Sequence, residues 1–404
     1  MKATKQLFYI FTLILTINFI NNTILIPILA PLFLMPEYNF FSSETTFEIK
    51  AFLLGLTLAC YPTAIFFGSP IFGKLCDCIG RKKTLLIVTV FTAFGNLITV
   101  IGIYFNNIYI IILGRLVAGI TGGSSTPIKA IIADISDESN RNKNFSCISL
   151  AIGISNICGP FLGAELSNKE LVSWFDTTTP LLFLFLIGVI NLPLISYFIK
   201  ETIHEITPFK LDFLTSFKKM NEVISLKELR LIMMMIFYYN VGYYIFANSF
   251  QTYLVKVFEI NSKQLGMIFS YMGFIFLVAQ LFIYNPIAKY LNQEKAISYS
   301  LLIYAFSMVL ILSLNQFSYI YLALILTVVA RVFLQTLLVT CVSGKASNDN
   351  QGKLHGYHSS VQALGELTGP LLGGILAGSF IWAPLISSAL FMIMAYFVLK
   401  KIKN

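Results

Sequence analysis

The sequence predicts an all-α polytopic membrane protein with twelve transmembrane helices in two pseudo-symmetric six-helix bundles. Three observations lead there. Of the 404 residues, 57% are hydrophobic and only 12% are charged, where a soluble chain carries about 25% charged residues. Apolar segments of about 20 residues, the length a helix needs to cross a hydrocarbon core, recur about twelve times. The second half also repeats part of the first: "RNKNFSCISLAIGISNICGPFLGA" from Arg141 aligns without gaps to "QGKLHGYHSSVQALGELTGPLLGG" from Gln351.

In chain order the spans cover residues 7–34, 49–73, 84–105, 108–133, 145–166 and 180–200 in the first half. The second half gives 230–257, 264–290, 296–314, 318–344, 354–378 and 381–400. Each should be helical, because lipid offers no partner to an unpaired backbone N–H or C=O. Pro27, Pro31, Pro62, Pro70 and Pro127 are expected to kink the longer spans. The opening "MKATKQLFYIFTLILTINFI" runs on beyond a signal-peptide core and lacks a small-residue cleavage site, so it reads as an uncleaved first helix. Residues 201–229 form the long polar stretch, dividing a bundle over 1–200 from one over 230–404. Phe209, Phe213, Leu214 and Phe217 stand among lysines there, a pattern that suits a linker lying on the inner leaflet.

Lys and Arg are distributed unevenly between the two sides. The islands containing Lys5, Lys82, Lys143, Lys219, Lys289, Lys345 and Lys401 are basic, whereas the facing loops hold only Lys50, Lys169, Lys256 and Lys263. That bias places both termini and the linker in the cytoplasm. It also accounts for the formal net charge of +9 without a nucleic-acid partner. Ile, Asn, Lys and Phe usage hints at an AT-rich bacterial genome, hence a bacterial inner membrane. Cys76 and Cys78 have no Cys or His close by in sequence to complete a metal site, so no metal and no cofactor are expected. With three His and one acid deep in a span, no catalytic dyad can be assembled and an enzyme is not expected. A phosphate-binding Gly-Lys-Ser/Thr loop is also missing, which argues against ATP-driven transport.

Duplicated halves of six spans suggest a cargo path between two bundles and alternating access by rocking. "PIFGKL" at Pro70 echoes "PIAKYL" at Pro286, and Arg115 of the fourth span recurs as Arg331 of the tenth. In the repeated stretch Gly159-Pro160 matches Gly369-Pro370, and Gly163 matches Gly373. Small residues at these places let neighbouring helices approach closely, so helix packing is their expected role.

Four motifs in order resemble those of the major facilitator superfamily, and the resemblance covers essentially the whole chain. The polar island "GKLCDCIGRKK" (Gly73–Lys83) is similar to that family's loop between helices 2 and 3, with Cys78 where the family usually has Arg. "LGRLVAGITGG", centred on Arg115, looks like its helix-4 motif; "ADISDESNRNK", with Asp134 and Arg141, looks like its helix 4–5 loop. "GISNICGPFLGA" is similar to the helix-5 Gly-Pro motif associated with proton-driven exporters. The resemblance implies the major facilitator fold and a gate built from Gly73, Asp77, Gly80, Arg81, Lys82, Asp134 and Arg141. In it Asp77 would meet the start of the eleventh helix near Leu354–Tyr357, and Arg81 would pair with Asp134.

Ionisable residues inside a membrane are costly and therefore usually functional. Glu366 lies near the middle of the eleventh span, where it could load and release a proton, with Arg331 as its natural counter-charge. Arg115 has no evident carboxylate partner in its own half, because the first span offers Asn18, Asn21, Asn22 and Thr23 where many drug–proton antiporters keep an acid. Arg115 and Arg331 could instead face an anionic or zwitterionic cargo, since guanidinium forks suit carboxylates and phosphates. On the seventh span Asn240, Tyr244 and Asn248 share a face at four-residue spacing, adjoined by Gln251, and should line the cavity. His355 and His358 are expected to contact the gate or the headgroups.

The expectation is a secondary active transporter for a small organic molecule, working as a monomer by proton-coupled efflux. Proton-coupled uptake of an amino acid or organic acid is the alternative, and a non-transporting receptor or scaffold is the reading from another class.

Overall fold

The apolar runs become helices, and every regular element among the described residues is helical. The structure is a computed structural model that describes residues 2–120, 125–136, 141–203, 227–314, 316–344 and 351–403. The first span is two helices, α1 (Lys2–Thr23) and α2 (Ile26–Leu34), with Pro27 in the first turn of α2. Proline suits that place because the N–H it lacks would have no helical partner. Next come α3 (Phe47–Ile79), α4 (Arg81–Tyr104), α5 (Ile108–Ile120) and α6 (Ser125–Asp134). Then α7 (Arg141–Glu165) and α8 (Thr179–Phe198) complete the first half. The second half contains α9 (Lys227–Phe258), α10 (Ser262–Val278), a π-helical turn over Ala279–Ile283, α11 (Tyr284–Ala288) and α12 (Gln293–Ser313). It ends with α13 (Phe317–Gly344), α14 (Gln351–Ser379) and α15 (Ala383–Lys403).

Among the described residues ten helices are long and apolar enough to cross a membrane. The two remaining expected spans are also helical but fall short of that measure for different reasons. The fourth is α5, of 13 residues, followed by α6. The eleventh is α14, whose 29 residues carry a polar stripe that dilutes its hydropathy. The polar island is not an extended loop: α3 continues through Pro62, Pro70 and Gly73 to Ile79, and Gly80 alone separates it from α4. Gly80 has φ of 105°, a backbone region that side chains other than glycine's resist. The linker at 204–226 lies outside the described residues.

The chain packs as two units. One comprises Met1–Phe41, Cys60–Asp212 and Asn261–Ser270. Its core includes Ile14 and Leu15 of α1, Leu85 of α4, Ile128, Ile131 and Ile132 of α6, and Ala151 of α7. Close approach depends on glycine. A Cβ on Gly95 of α4 would lie 2.5 Å from the backbone nitrogen of Ala118 on α5, and one on Gly163 of α7 would lie 3.0 Å from Pro27. Across the α1–α7 contact, Ser155 Oγ donates to the Thr16 carbonyl at 3.0 Å, and Thr23 Oγ1 donates to the Ser155 carbonyl at 3.0 Å.

The second unit comprises Ser42–Ala59, Phe213–Ile260 and Tyr271–Asn404. Here α9 packs on α14 and α15, and α12 packs on α13 and α15. A Cβ on Gly369 would lie 2.7 Å from the Tyr244 carbonyl carbon, and one on Gly365 would lie 2.7 Å from the Asn240 Cβ. Ser388 Oγ of α15 donates to the Gly242 carbonyl at 2.7 Å. Thus Gly163 and Gly369, from the two copies of the repeated stretch, each bring their helix close to the first helical segment of its own half.

Candidate substrate and proton site

In the second unit, four-residue spacing on three helices assembles a polar cavity. Tyr239, Tyr243, Asn240 and Tyr244 contribute from α9, Arg331 and Gln335 from α13, and His358 and Gln362 from α14; Leu338 completes the lining. The cavity holds about 60 Å³. Gln335 is exposed, so the space is not sealed.

Glu366 stands one turn beyond Gln362 on α14 and is half-buried. Tyr244 donates its hydroxyl to Glu366 Oε1, and Gln362 Nε2 donates to the same oxygen at 3.0 Å. Gln362 Nε2 also lies 3.4 Å from the Tyr244 hydroxyl, closing a three-residue cluster. A carboxylate held by two neutral donors keeps a defined position without a fixed counter-ion. The expected pairing with Arg331 is not formed: among the described residues the ion pairs are Arg81–Asp77, Arg81–Asp134 and Lys263–Glu170. The Arg331 guanidinium instead stacks over the rings of Tyr243 at 4.3 Å and Phe276 at 5.1 Å. Its Nε is buried and without a hydrogen-bond partner. Such a group retains donor capacity toward an anion.

The other stripe residues are satisfied locally. Asn240 Nδ2 donates to the Ile236 carbonyl at 2.9 Å, and Asn248 Nδ2 to the Tyr244 carbonyl at 2.9 Å. Gln251 is 1% exposed; its Nε2 donates to the Asn248 carbonyl at 3.2 Å while its Oε1 has no partner. Neither Asn248 nor Gln251 lines the 60 Å³ cavity.

The first unit holds the partner arginine of the repeat. Arg115 on α5 is 4% exposed and stacks 4.4 Å above the Tyr61 ring, with Nε unpaired. Cation–π contact offsets part of the burial cost where a carboxylate is missing. Asn21 Oδ1 accepts from Asn96 Nδ2 at 2.6 Å, which commits Asn21 to a buried amide pair. Asn18 Nδ2 returns to the Ile14 carbonyl at 2.8 Å. The side chain of Asn22 lies outside the described residues.

The gate residues of the first unit cluster around Gly80. Arg81 Nη1 meets Asp77 Oδ1 at 2.5 Å, and Arg81 Nε meets Asp134 Oδ2 at 3.3 Å. Two partners were not evident from sequence. Thr202 donates to Asp134 Oδ2 at 2.6 Å, and the Glu201 carboxylate accepts from the backbone nitrogens of Arg81 at 2.7 Å and Lys82 at 3.2 Å. Glu201 thereby caps α4, where a helix start attracts an anion. Lys82 Nζ donates to the Ser196 carbonyl at 2.5 Å. Gly73 sits inside α3. The side chains of Arg141, His355 and residue 354 lie outside the described residues, so the expected contact of Asp77 with that helix start does too.

A larger cavity of about 660 Å³ opens elsewhere in this unit, lined by residues including Glu37, Tyr38, Lys169, Glu170, Asp176 and Lys263. The Tyr38 hydroxyl lies 3.5 Å from Ser262 Oγ, and burial pushes its phenol up, so it stays protonated.

His358, expected at the gate or the headgroups, lines the cavity instead, and sequence signals exist for it and for the unremarked Gln335 and Gln362. His358, Gln362 and Glu366 repeat at intervals of four, as do Arg331 and Gln335. Glu201 had no local signal, because its role depends on where a distant segment lands.

Comparison with known proteins agrees with this architecture. The family model described as Major Facilitator Superfamily matches residues 11–283 and 231–403. "Quinolone resistance protein NorA" of Staphylococcus aureus (strain COL) is 24% identical over 336 residues, 82% of each chain. "Tetracycline resistance protein, class C" of Escherichia coli is 24% identical over 320 residues, 79% of this chain and 78% of that one. Among solved structures, a D-xylose-proton symporter superposes with a TM-score of 0.78 at 14% identity, covering 98% of this chain and 97% of that one. The human organic anion transporter MFSD10 gives 0.71 at 20% identity, covering 98% and 99%. Duplicated helical halves, the Gly80 island and a family match running through both halves lead to one conclusion: the chain belongs to the major facilitator superfamily, a multi-pass membrane transporter and not an enzyme.

Proposed function

We propose that the protein exports a small organic molecule in exchange for protons, with Glu366 as the coupling carboxylate. The observation that carries this reading is the Tyr244–Gln362–Glu366 cluster beside a polar cavity in the second unit. A carboxylate inside a membrane protein is expensive and therefore marks a functional site. This one is oriented by two neutral donors, so it can hold or release its proton without breaking an ion pair. Arg115 and Arg331, both stacked on aromatic rings with Nε unpaired, favour a cargo carrying a carboxylate or another anionic group. The two similar resistance proteins favour outward transport. The unpaired arginines equally suit uptake of an organic acid, which is the second reading.

In this account two six-helix bundles over 1–200 and 230–404, joined by the 201–229 linker, alternate about a central path. The cluster of Asp77, Arg81, Asp134 and Glu201, which lies within the first unit, forms that unit's side of a cytoplasmic latch. Surface ion pairs contribute about 0–1 kcal/mol each, a strength suited to a contact remade in every cycle. The bacterial inner membrane, cytoplasmic termini and a working monomer belong to the same reading.

Everted and right-side-out vesicles with an imposed pH gradient provide the test, using a fluoroquinolone, tetracycline and a set of labelled organic acids. Gradient-dependent accumulation in everted vesicles, collapsed by a protonophore, is the expected result. Accumulation only in right-side-out vesicles would favour uptake, and indifference to the gradient in both would overturn proton coupling.

A further inference from the structure

We propose that His358 relays protons between Glu366 and the aqueous side at which α14 begins. The inference rests on the reading of Glu366 as the coupling carboxylate and adds the route by which its proton arrives and leaves. His358, Gln362 and Glu366 occupy one face of α14 at four-residue intervals, so about 12 Å of helix axis separates the first from the last. Gln362 already bonds Glu366 and approaches the Tyr244 hydroxyl. His358 and Gln362 both line the 60 Å³ cavity, as does Tyr244. At about 10–15 Å³ of such space per water, the cavity has room for a few molecules. The Gln362 side chain cannot carry a proton by titration, but it can orient the carboxylate and a water beside it.

The groups facing this cavity single out the imidazole. From α9 come the phenols of Tyr239, Tyr243 and Tyr244, and from α13 comes the guanidinium of Arg331; Glu366 of α14 does not line the cavity but is hydrogen-bonded to Tyr244 and Gln362, which do. No residue of α15 is among the lining residues described. Phenols and guanidinium titrate far above neutrality, whereas an imidazole exchanges protons near it. The step balances simply. Protonated Glu366 gives its proton to the nearest of a short chain of waters, each water passes one on, and the last, in the cavity, gives one to a nitrogen of neutral His358. The imidazolium then releases the proton on its other nitrogen to the aqueous side, leaving a neutral ring, intact waters and an ionised carboxylate. The reverse order loads Glu366.

The test needs no knowledge of the cargo. Purified full-length protein is subjected to a pH jump between about pH 5 and 8, and the protonated-carboxyl infrared band that Glu366→Gln removes is followed in time. His358→Gln is expected to slow the appearance of that band about tenfold or more while leaving its final amplitude unchanged. Added imidazole should restore the rate in His358→Ala. An unchanged rate in both histidine variants would overturn the relay and leave the coupling role of Glu366 standing. Loss of amplitude in well-folded His358→Gln would assign the histidine a structural role, also overturning the relay. Absence of any Glu366→Gln-sensitive band in the wild-type protein would overturn the coupling reading and the relay with it. His358→Asn serves in place of His358→Gln if the latter does not fold.

Discussion

The two halves of the chain handle the same problem, an arginine within a membrane span and without a carboxylate partner, with the same device. Arg115 lies over Tyr61 and Arg331 over Tyr243 and Phe276. The arginines themselves were legible in the sequence because charges stand out in apolar spans. Their aromatic partners were not, since stacking depends on the register of helices distant in sequence. Asp77, Arg81 and Asp134 were legible through a motif, whereas Glu201 was hidden more than a hundred residues away from the nitrogens it caps. Glu201→Ala should therefore destabilise the protein by about 0.5–2 kcal/mol, the range for losing an N-terminal cap. Glu201→Gln, which keeps an acceptor oxygen, should lose less. Thermal unfolding of the purified variants reads this directly, and equal midpoints for wild type and Glu201→Ala would show the cap to be idle.

At the scale of elements, helix type was fixed by apolar length, and the places where the spans differ have physical causes. α3 runs on to Ile79 because charged side chains at a membrane surface do not stop a helix; the positive φ of Gly80 does. α14 is less apolar than its neighbours because one face carries His358, Gln362 and Glu366. Packing between helices was legible as the Gly-Pro repeat, though which glycines are indispensable required the neighbouring backbone. A Cβ on Gly369 meets backbone atoms of Tyr244 and Ile245, the latter at 2.9 Å, while one on Gly373 first meets the Ser249 hydroxyl, the end of a side chain that can turn away. Gly369→Ala should thus cost about 1–3 kcal/mol, the usual penalty of overpacking, and Gly373→Ala markedly less. Thermal midpoints of the two variants compared side by side would reveal the difference, and the reverse ranking would contradict the α9–α14 contact described here.

For the whole molecule, composition announced the membrane, duplication announced the transporter, and the family match confirms both. Cargo is less legible, because the polar groups that would recognise it are few and come from separate helices. The central claim is that cargo movement is driven through one carboxylate, Glu366. Proteoliposomes containing Glu366→Gln, loaded with a compound the wild type moves, decide it. The variant should still exchange labelled for unlabelled compound across the bilayer but no longer accumulate it against a gradient when a pH difference is imposed. Accumulation at the wild-type level under the same pH difference would contradict the account.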